Sequence, residues 1–317
     1  MITVDLDKVK KALVKGEIIA LPTETVYGLA ANIYNDKAIG KIFSLKKRPA
    51  YNPLIVHIAS SNILEQVAKK IPVKAKELAD IFWPGPLTLV LEKQDQIPHR
   101  ITAGKKTVAV RVPNHPLALQ LLNSLNFPLA APSANPFGFI SPTSAEHVAL
   151  HFKKELNFIL DGGPCSHGLE STIIGFQNDK PILYRHGAIA LEEIEKVTGS
   201  ISVKNHNNDK PIAPGMLSRH YAPKTQIQIT KDISNSIEQN RDKKIGVLSF
   251  QKLKNSHSEI DQEVLSISGN LKEAAKNLYA SLHHLDQMNL DLIITSFFPE
   301  KGLGKTINDR LKRAAKK

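Results

Sequence analysis

Lys46-Lys47-Arg48-Pro49-Ala50-Tyr51-Asn52-Pro53-Leu54-Ile55-Val56-His57 sets three cations directly before a short, apolar, β-branched run. Upstream of it Ala38, Ile39, Ile42 and Phe43 recur at helical spacing, so the cations stand at a helix-to-strand junction. Pro49 and Pro53 bracket the turn and hold Arg48 and Asn52 to extended conformations. Arg48 offers a planar fork suited to phosphate or carboxylate, and Lys46 adds a compact charge. Such a junction is either an anion site or a solvated basic turn that favours the helix dipole.

Working outward, Leu6, Val9 and Leu13 form one face of a first helix that Gly16 can end, and residues 18–21 read as a strand. That strand meets Pro22-Thr23-Glu24-Thr25-Val26-Tyr27-Gly28-Leu29. Pro22 ends the ladder, and Thr23 or Thr25 is expected to cap a following helix, which gathers hydroxyls and backbone donors at a strand end. Beyond the cations, helical patterns at 63–70 and 75–82 precede apolar strands at 87–91 and 108–112. Arg111 lies inside the second of these. A charge among valines must find a partner or reach a cleft, since burying it alone costs several kcal/mol (about 3–5 on removal of a partner). Thr107, four residues earlier, points to the same face.

The strand at 129–131 runs into Pro132-Ser133-Ala134-Asn135-Pro136-Phe137-Gly138, where Ser133 and Asn135 project together in extended backbone. The next helix opens at Ser141-Pro142-Thr143-Ser144. On it His147 and His151 share a face at metal-ligand spacing, but without the glutamate of the zinc-protease motif or a nearby cysteine they read as surface residues. Gly168-Leu169-Glu170-Ser171-Thr172 and Tyr184-Arg185-His186-Gly187 follow strand patterns. Loops at strand ends are where α/β folds place binding residues.

The chain has 317 residues, enough for about two domains. Its net charge of +12 favours anionic partners. No apolar run approaches the ~18 residues of a membrane span, and the N-terminus moves straight into an amphipathic helix, so a cytoplasmic location is the default expectation. The single cysteine, Cys165, excludes an intrachain disulfide and a multi-cysteine zinc site. Residues 204–210 are polar and aperiodic and read as a linker, which continues into Pro211-Ile212-Ala213-Pro214-Gly215-Met216-Leu217-Ser218-Arg219-His220-Tyr221-Ala222-Pro223. Four further strands alternating with helices imply a small second α/β domain. Its Pro299-Glu300-Lys301-Gly302-Leu303-Gly304-Lys305-Thr306 is close to a phosphate-binding P-loop, but proline stands where the first glycine is required.

Taken together, Lys46-x-Arg48 with Ser133-x-Asn135, the Pro-Thr-Glu-Thr-Val-Tyr-Gly-Leu octet and Glu170-Ser171-Thr172 closely resemble the YrdC/Sua5 threonylcarbamoyl-AMP synthases. The Pro-Gly-Met...Arg-His-Tyr-Ala-Pro linker and the second domain resemble the long Sua5 form. The resemblance implies an α/β fold: a YrdC-like twisted mixed sheet with flanking helices over residues 1–200, a linker or lid at 201–225, and a smaller Rossmann-like C-terminal domain at 226–317. It implies that L-threonine, bicarbonate and ATP give L-threonylcarbamoyl-adenylate and pyrophosphate, for the N6-threonylcarbamoyladenosine modification of tRNA. The downstream transfer falls to partner proteins, with tRNA contact left open.

Carried over by position, Thr25, His57, Arg111, Ala131 and Ser171 are expected at the threonine, and Arg48, Asn52, Thr107, Ser133, Ser141, Arg185 and Tyr221 at ATP. Which of Arg219, His220 and Tyr221 reaches the nucleotide stays open. Lys46, Arg48, Ser133 and Asn135 form the family tetrad, Mg2+ is expected with ATP, and no protein ligand for it is assigned. A carbamate on the threonine amine would attack the α-phosphate, with cations stabilising the phosphoryl charge and positioning supplying much of the rest. The rival readings are an RNA-binding module without nucleotidyl transfer, and carbamoyl transfer as in hydrogenase maturation, whose cysteine-rich fingers one cysteine cannot build.

Overall fold

The computed structural model describes residues 1–204, 211–216, 220–253 and 260–316. Part of the linker, including Arg219, lies outside the described residues. The strands of the first domain form one twelve-stranded mixed sheet. Its centre runs Gly28–Asn32, Leu129–Ala130, Ile55–His57, Thr107–Arg111, Leu87–Lys93, Thr172–Gln177 and Lys180–Arg185. Ser202–Val203 pairs in parallel with Lys180–Arg185, so this sheet extends past residue 200.

Alternation along the strands divides the apolar side chains between two faces. Val56, Leu89, Val110, Ile174 and Leu183 face the helices Asp36–Lys46, Val73–Phe82, Ala145–Phe152 and Leu191–Thr198, which contribute Ile39, Leu78, Val148 and Ile194 to one core. Fully burying one such side chain is worth about 1.5–3 kcal/mol, so a charge at Leu78 would break this layer. On the opposite face, helices Leu6–Val14 and Pro116–Ser124 cover one half through Val9, Leu13, Leu121 and Leu122. The other half, with Ile55, Val90, Ala109 and Ile173, is covered by Ala213 and Met216 of the linker. A cleft is left between these two covers.

Local chemistry explains most boundaries. Asn35 caps the helix Asp36–Lys46 by accepting from the Ala38 amide at 3.0 Å, and Lys47 ends it in the left-handed region at φ 51°. Two expectations change. No helix follows the octet: residues 22–27 form the turn of a hairpin, and Gly28–Asn32 pairs antiparallel with Ile19–Leu21. Thr23 Oγ1 accepts from the amides of Thr25 and Val26, each at 3.2 Å, which is the bonding of a cap used to close a turn. The segment at 63–70 is a 3-10 helix, Ser61–Gln66, then a short strand, Ala68–Lys69, on the edge of Leu87–Lys93.

The second domain has a four-stranded, all-parallel sheet in the order Gln226–Ile229, Leu292–Thr295, Ile245–Ser249, Asp261–Val264. Its core is continuous with the first domain: Val26, Ile140 and Leu169 pack in one cluster with Tyr221, Leu278, Tyr279 and Leu311. His147 and His151, expected at the surface, lie at this boundary. His147 stacks on His283 at 4.1 Å because the second domain covers their helix face. Among the described residues no helix is long and apolar enough to cross a membrane.

Candidate active site

Strand register builds the cleft. Ile55–His57 pairs in parallel with Thr107–Arg111 so that His57 and Arg111 are partners at the same height, and Val56 and His57 pair antiparallel with Ala130 and Leu129. Ile55, His57 and Arg111 therefore share the cleft face with Ala131, and a single bridge between Gly28 and Ser133 brings in the Pro132–Pro136 loop.

At one end the Arg111 guanidinium is almost fully enclosed. It donates to Thr25 Oγ1 at 2.8 Å and to the Gly85 carbonyl at 3.2 Å, and its Nη2 lies 2.6 Å from Glu24 Oε1. The last contact is close but off hydrogen-bond angle, so it counts as an ion pair only. Thr25 is held in turn by Thr23 at 2.8 Å. Burial, reinforced by the Arg111 charge, pulls the His57 pKa down to about 3, so its imidazole is neutral, and Nδ1 has no hydrogen-bond partner among the described residues.

Arg48 supplies the other end. Its Nε and Nη2 are fixed by the Asn52 carbonyl (3.1 Å), Asn52 Oδ1 (2.7 Å) and the Pro53 carbonyl (2.6 Å), all neutral acceptors. Burial and the neighbouring Arg185 lower its pKa to about 9, which leaves it charged at neutral pH, and among the described residues no carboxylate pairs with it. A buried, uncompensated guanidinium has the chemistry to bind an anion. Lys46 points inward: Nζ donates to the carbonyls of Ser133 and Asn135, each at 2.5 Å. Burial and Arg48 hold its pKa well below the usual lysine value. Asn135 Nδ2 closes the same loop through the Pro136 and Phe139 carbonyls at 2.9 and 2.8 Å.

Arg185 forms the third wall. It binds the Ser171 carbonyl twice, at 3.1 and 2.9 Å, and Ser171 Oγ at 3.1 Å, while Thr88 holds that hydroxyl at 2.7 Å. Ser141 Oγ donates to Glu170 at 2.7 Å, directly before Ser171. Burial would raise the Glu170 pKa, but Arg310 and Arg185 outweigh it and set it near 2. Across the opening lie Gly215, His220 and Tyr221, the last in the left-handed region at φ 67°.

Of the residues singled out from sequence, Thr25, Arg48, His57, Arg111, Ala131, Ser133, Ser171, Arg185 and Tyr221 line this one cleft. Lys46, Asn52, Asn135 and Ser141 stand behind it and hold its walls. Thr107 is not brought in: it shares the Arg111 face but lies about 13 Å away along the strand, at ~3.3 Å per residue, and borders a separate hollow with Lys70 and Glu92. Sequence reasoning gave no role to Glu24, Glu170, Gly215 or the arginines of the last helix. The octet and Glu170-Ser171-Thr172 carried the two glutamates in plain view; for the arginines there was no signal.

The family model described as "Telomere recombination", covering Sua5, YciO and YrdC proteins, matches residues 11–187. The model for the threonylcarbamoyl-AMP synthase C-terminal domain matches residues 189–316. The threonylcarbamoyl-AMP synthase of Pyrococcus abyssi is 44% identical over 315 residues, 95% of this chain and 91% of the relative. That of Bacillus subtilis is 43% identical over 311 residues, 95% and 90%. The crystal structure of P. abyssi Sua5 complexed with L-threonine matches with a TM-score of 0.91 at 41% identity, covering 99% of this chain and 97% of that one. With both domains matched in order and the cleft residues in place, the chain belongs to the Sua5/YciO/YrdC family, in the form that carries the threonylcarbamoyl-AMP synthase C-terminal domain.

Proposed function

We infer that the protein is an L-threonylcarbamoyladenylate synthase. L-threonine, bicarbonate and ATP give L-threonylcarbamoyl-adenylate, pyrophosphate and water, for the N6-threonylcarbamoyladenosine modification of tRNA. The observation that carries this reading is one cleft with an amino-acid end, Arg111 with Thr25 and His57, and a phosphate end, where Arg48 has no carboxylate partner among the described residues.

Arg111 would take the threonine carboxylate bidentately, with Thr25, Ala131 and Ser171 completing the pocket. Neutral His57 can hydrogen-bond the substrate without competing for its carboxylate. Bicarbonate or carbon dioxide adds to the threonine amine, and the carbamate oxygen attacks the α-phosphate in line as pyrophosphate leaves. Arg48 and Arg185 would stabilise charge on the phosphoryl oxygens, and Lys46 would hold the Ser133–Asn135 loop against the nucleotide. Tyr221 would cover ATP and keep water from the labile carbamate.

Mg2+ is proposed to arrive with the triphosphate. Glu170, which lines the cleft, and Glu24, behind Arg111, are engaged by Arg310 and Arg111, and among the described residues no group of three or more His, Cys, Asp or Glu can hold a metal ion. Transfer of the product to tRNA is assigned to partner proteins in the cytoplasm.

Incubation with ATP, magnesium, bicarbonate and L-threonine tests the reading. Threonine-dependent pyrophosphate release is expected; RNA binding without such release would reverse it in favour of an RNA-binding module.

A further inference from the structure

Arg310 lies on the last helix, Leu303–Ala314, and is 1% exposed. It does not line the cleft, yet it touches three of its walls. Nε donates to Glu170 Oε2 at 2.9 Å, next to Ser171; Nη2 donates to the His186 carbonyl at 2.7 Å, next to Arg185; and the guanidinium lies over the Tyr221 ring, 4.5 Å from its centroid. Asp309 occupies Nη1 at 2.6 Å, so the fork is filled by protein and its orientation is set. Three residues on, Arg313 donates to the carbonyl of Gly215 in the linker and to Asp309 at 3.0 Å. Thr306, one turn before Arg310, reaches the Gly187 carbonyl at 3.0 Å. One helix face, at i, i+4 and i+7, is thus spent on the walls of the cleft.

Glu170 is equally committed from the other side. Its oxygens accept from Ser141, from the Tyr279 hydroxyl at 3.0 Å to each, and from Arg310. A domain that merely docks could bury apolar surface alone, as Val26, Ile140 and Leu169 do here. Burying a guanidinium and a carboxylate together is favourable only with near-complete pairing, which fixes their geometry.

We propose that Arg310 is a positioning residue for the reaction: the second domain completes the active site by setting, through this one guanidinium, the places of Ser171, Arg185 and Tyr221. The proposal rests on the synthase reading, so wild-type pyrophosphate release is measured first and decides that reading alone. Ratios between variants of the full chain then decide the proposal.

Arg310→Met should lower kcat/KM for ATP at least tenfold while the melt stays cooperative. Adding Glu170→Gln should recover at least threefold of that loss, because a neutral amide needs no buried counter-cation, whereas independent losses would multiply. A fall of less than tenfold, or a double variant that is merely the product of the singles, overturns the proposal. If Arg310→Met does not fold, Arg310→Lys is read instead. It keeps a charge against Glu170 but lacks the fork that also reaches His186: a tenfold loss at an unchanged melting temperature supports the proposal, and a smaller loss overturns it.

Discussion

His57 and Arg111 are register partners on adjacent parallel strands, and the cation beside the imidazole adds to burial in keeping it neutral. The sign of the resulting pH dependence follows. A histidine whose folded pKa lies near 3 and whose unfolded value is 6.5 binds fewer protons folded than unfolded between those limits. The contribution of His57 to stability should therefore be level above pH 6.5 and fall as pH drops below it. His283, also lowered to about 3, acts in the same direction. Imidazole NMR signals of His57 should stay those of the neutral ring from pH 8 to 5; a titration near 6.5 would contradict its burial against Arg111.

Arg48→Ala removes a buried guanidinium whose hydrogen-bond partners among the described residues are all neutral. Adenylate formation should fall by about two orders of magnitude or more, from the ~3 kcal/mol typical of such an electrostatic group. Asn52→Ala, which frees Arg48 without removing it, should give a smaller loss in the same assay. Equal losses would mean that Arg48 is only a structural partner of Asn52.

Lys46→Met tests a different role. Without the ammonium, the carbonyls of Ser133 and Asn135 lose their shared donor inside the protein, at about 1–3 kcal/mol for a buried group left unpaired. A urea midpoint lowered to match, with weaker ATP turnover, is expected. An unchanged midpoint would show that the lysine does not hold the loop.

Arg111→Lys keeps a charge against Glu24 but loses the fork shared between Thr25, Gly85 and the incoming carboxylate. Threonine affinity by calorimetry should drop by about tenfold or more, since a charged hydrogen bond is worth ~1.5–3 kcal/mol, while ATP affinity changes little. Equal loss for both ligands would place Arg111 at the wrong end of the cleft.

How much of this was legible in the chain depends on range. Helix Asp36–Lys46 and strand Ile55–His57 follow from local spacing and a local cap, while the choice between an anion site and a solvated turn at their junction does not, since it depends on burial of Lys46 and Arg48 by distant segments. Side-chain parity along Thr107–Arg111 gives the face but not the height, which is why Thr107 shares a face with the site and not its location. The octet misleads for a local reason: a threonine hydroxyl bonding the next two amides looks alike in a helix cap and in a hairpin turn. Glu24 with Arg111, and Glu170 with Arg310, are paired across 87 and 140 residues, and no spacing rule reaches that far. Helix Leu303–Ala314 carries no local signal of its role, because only the fold brings Arg310 against Glu170 and His186 of the first domain and buries it there.

One cleft is proposed to hold threonine at Arg111 and the triphosphate at Arg48 and Arg185. A crystal structure of the full chain with L-threonine and a non-hydrolysable ATP analogue measures it directly. The threonine carboxylate is expected on Arg111, phosphate oxygens on Arg48 and Arg185, and the amine within reach of the α-phosphate across a one-carbon gap. Ligands in separate pockets, or a triphosphate that leaves Arg48 bonded only to Asn52 and Pro53, would contradict it.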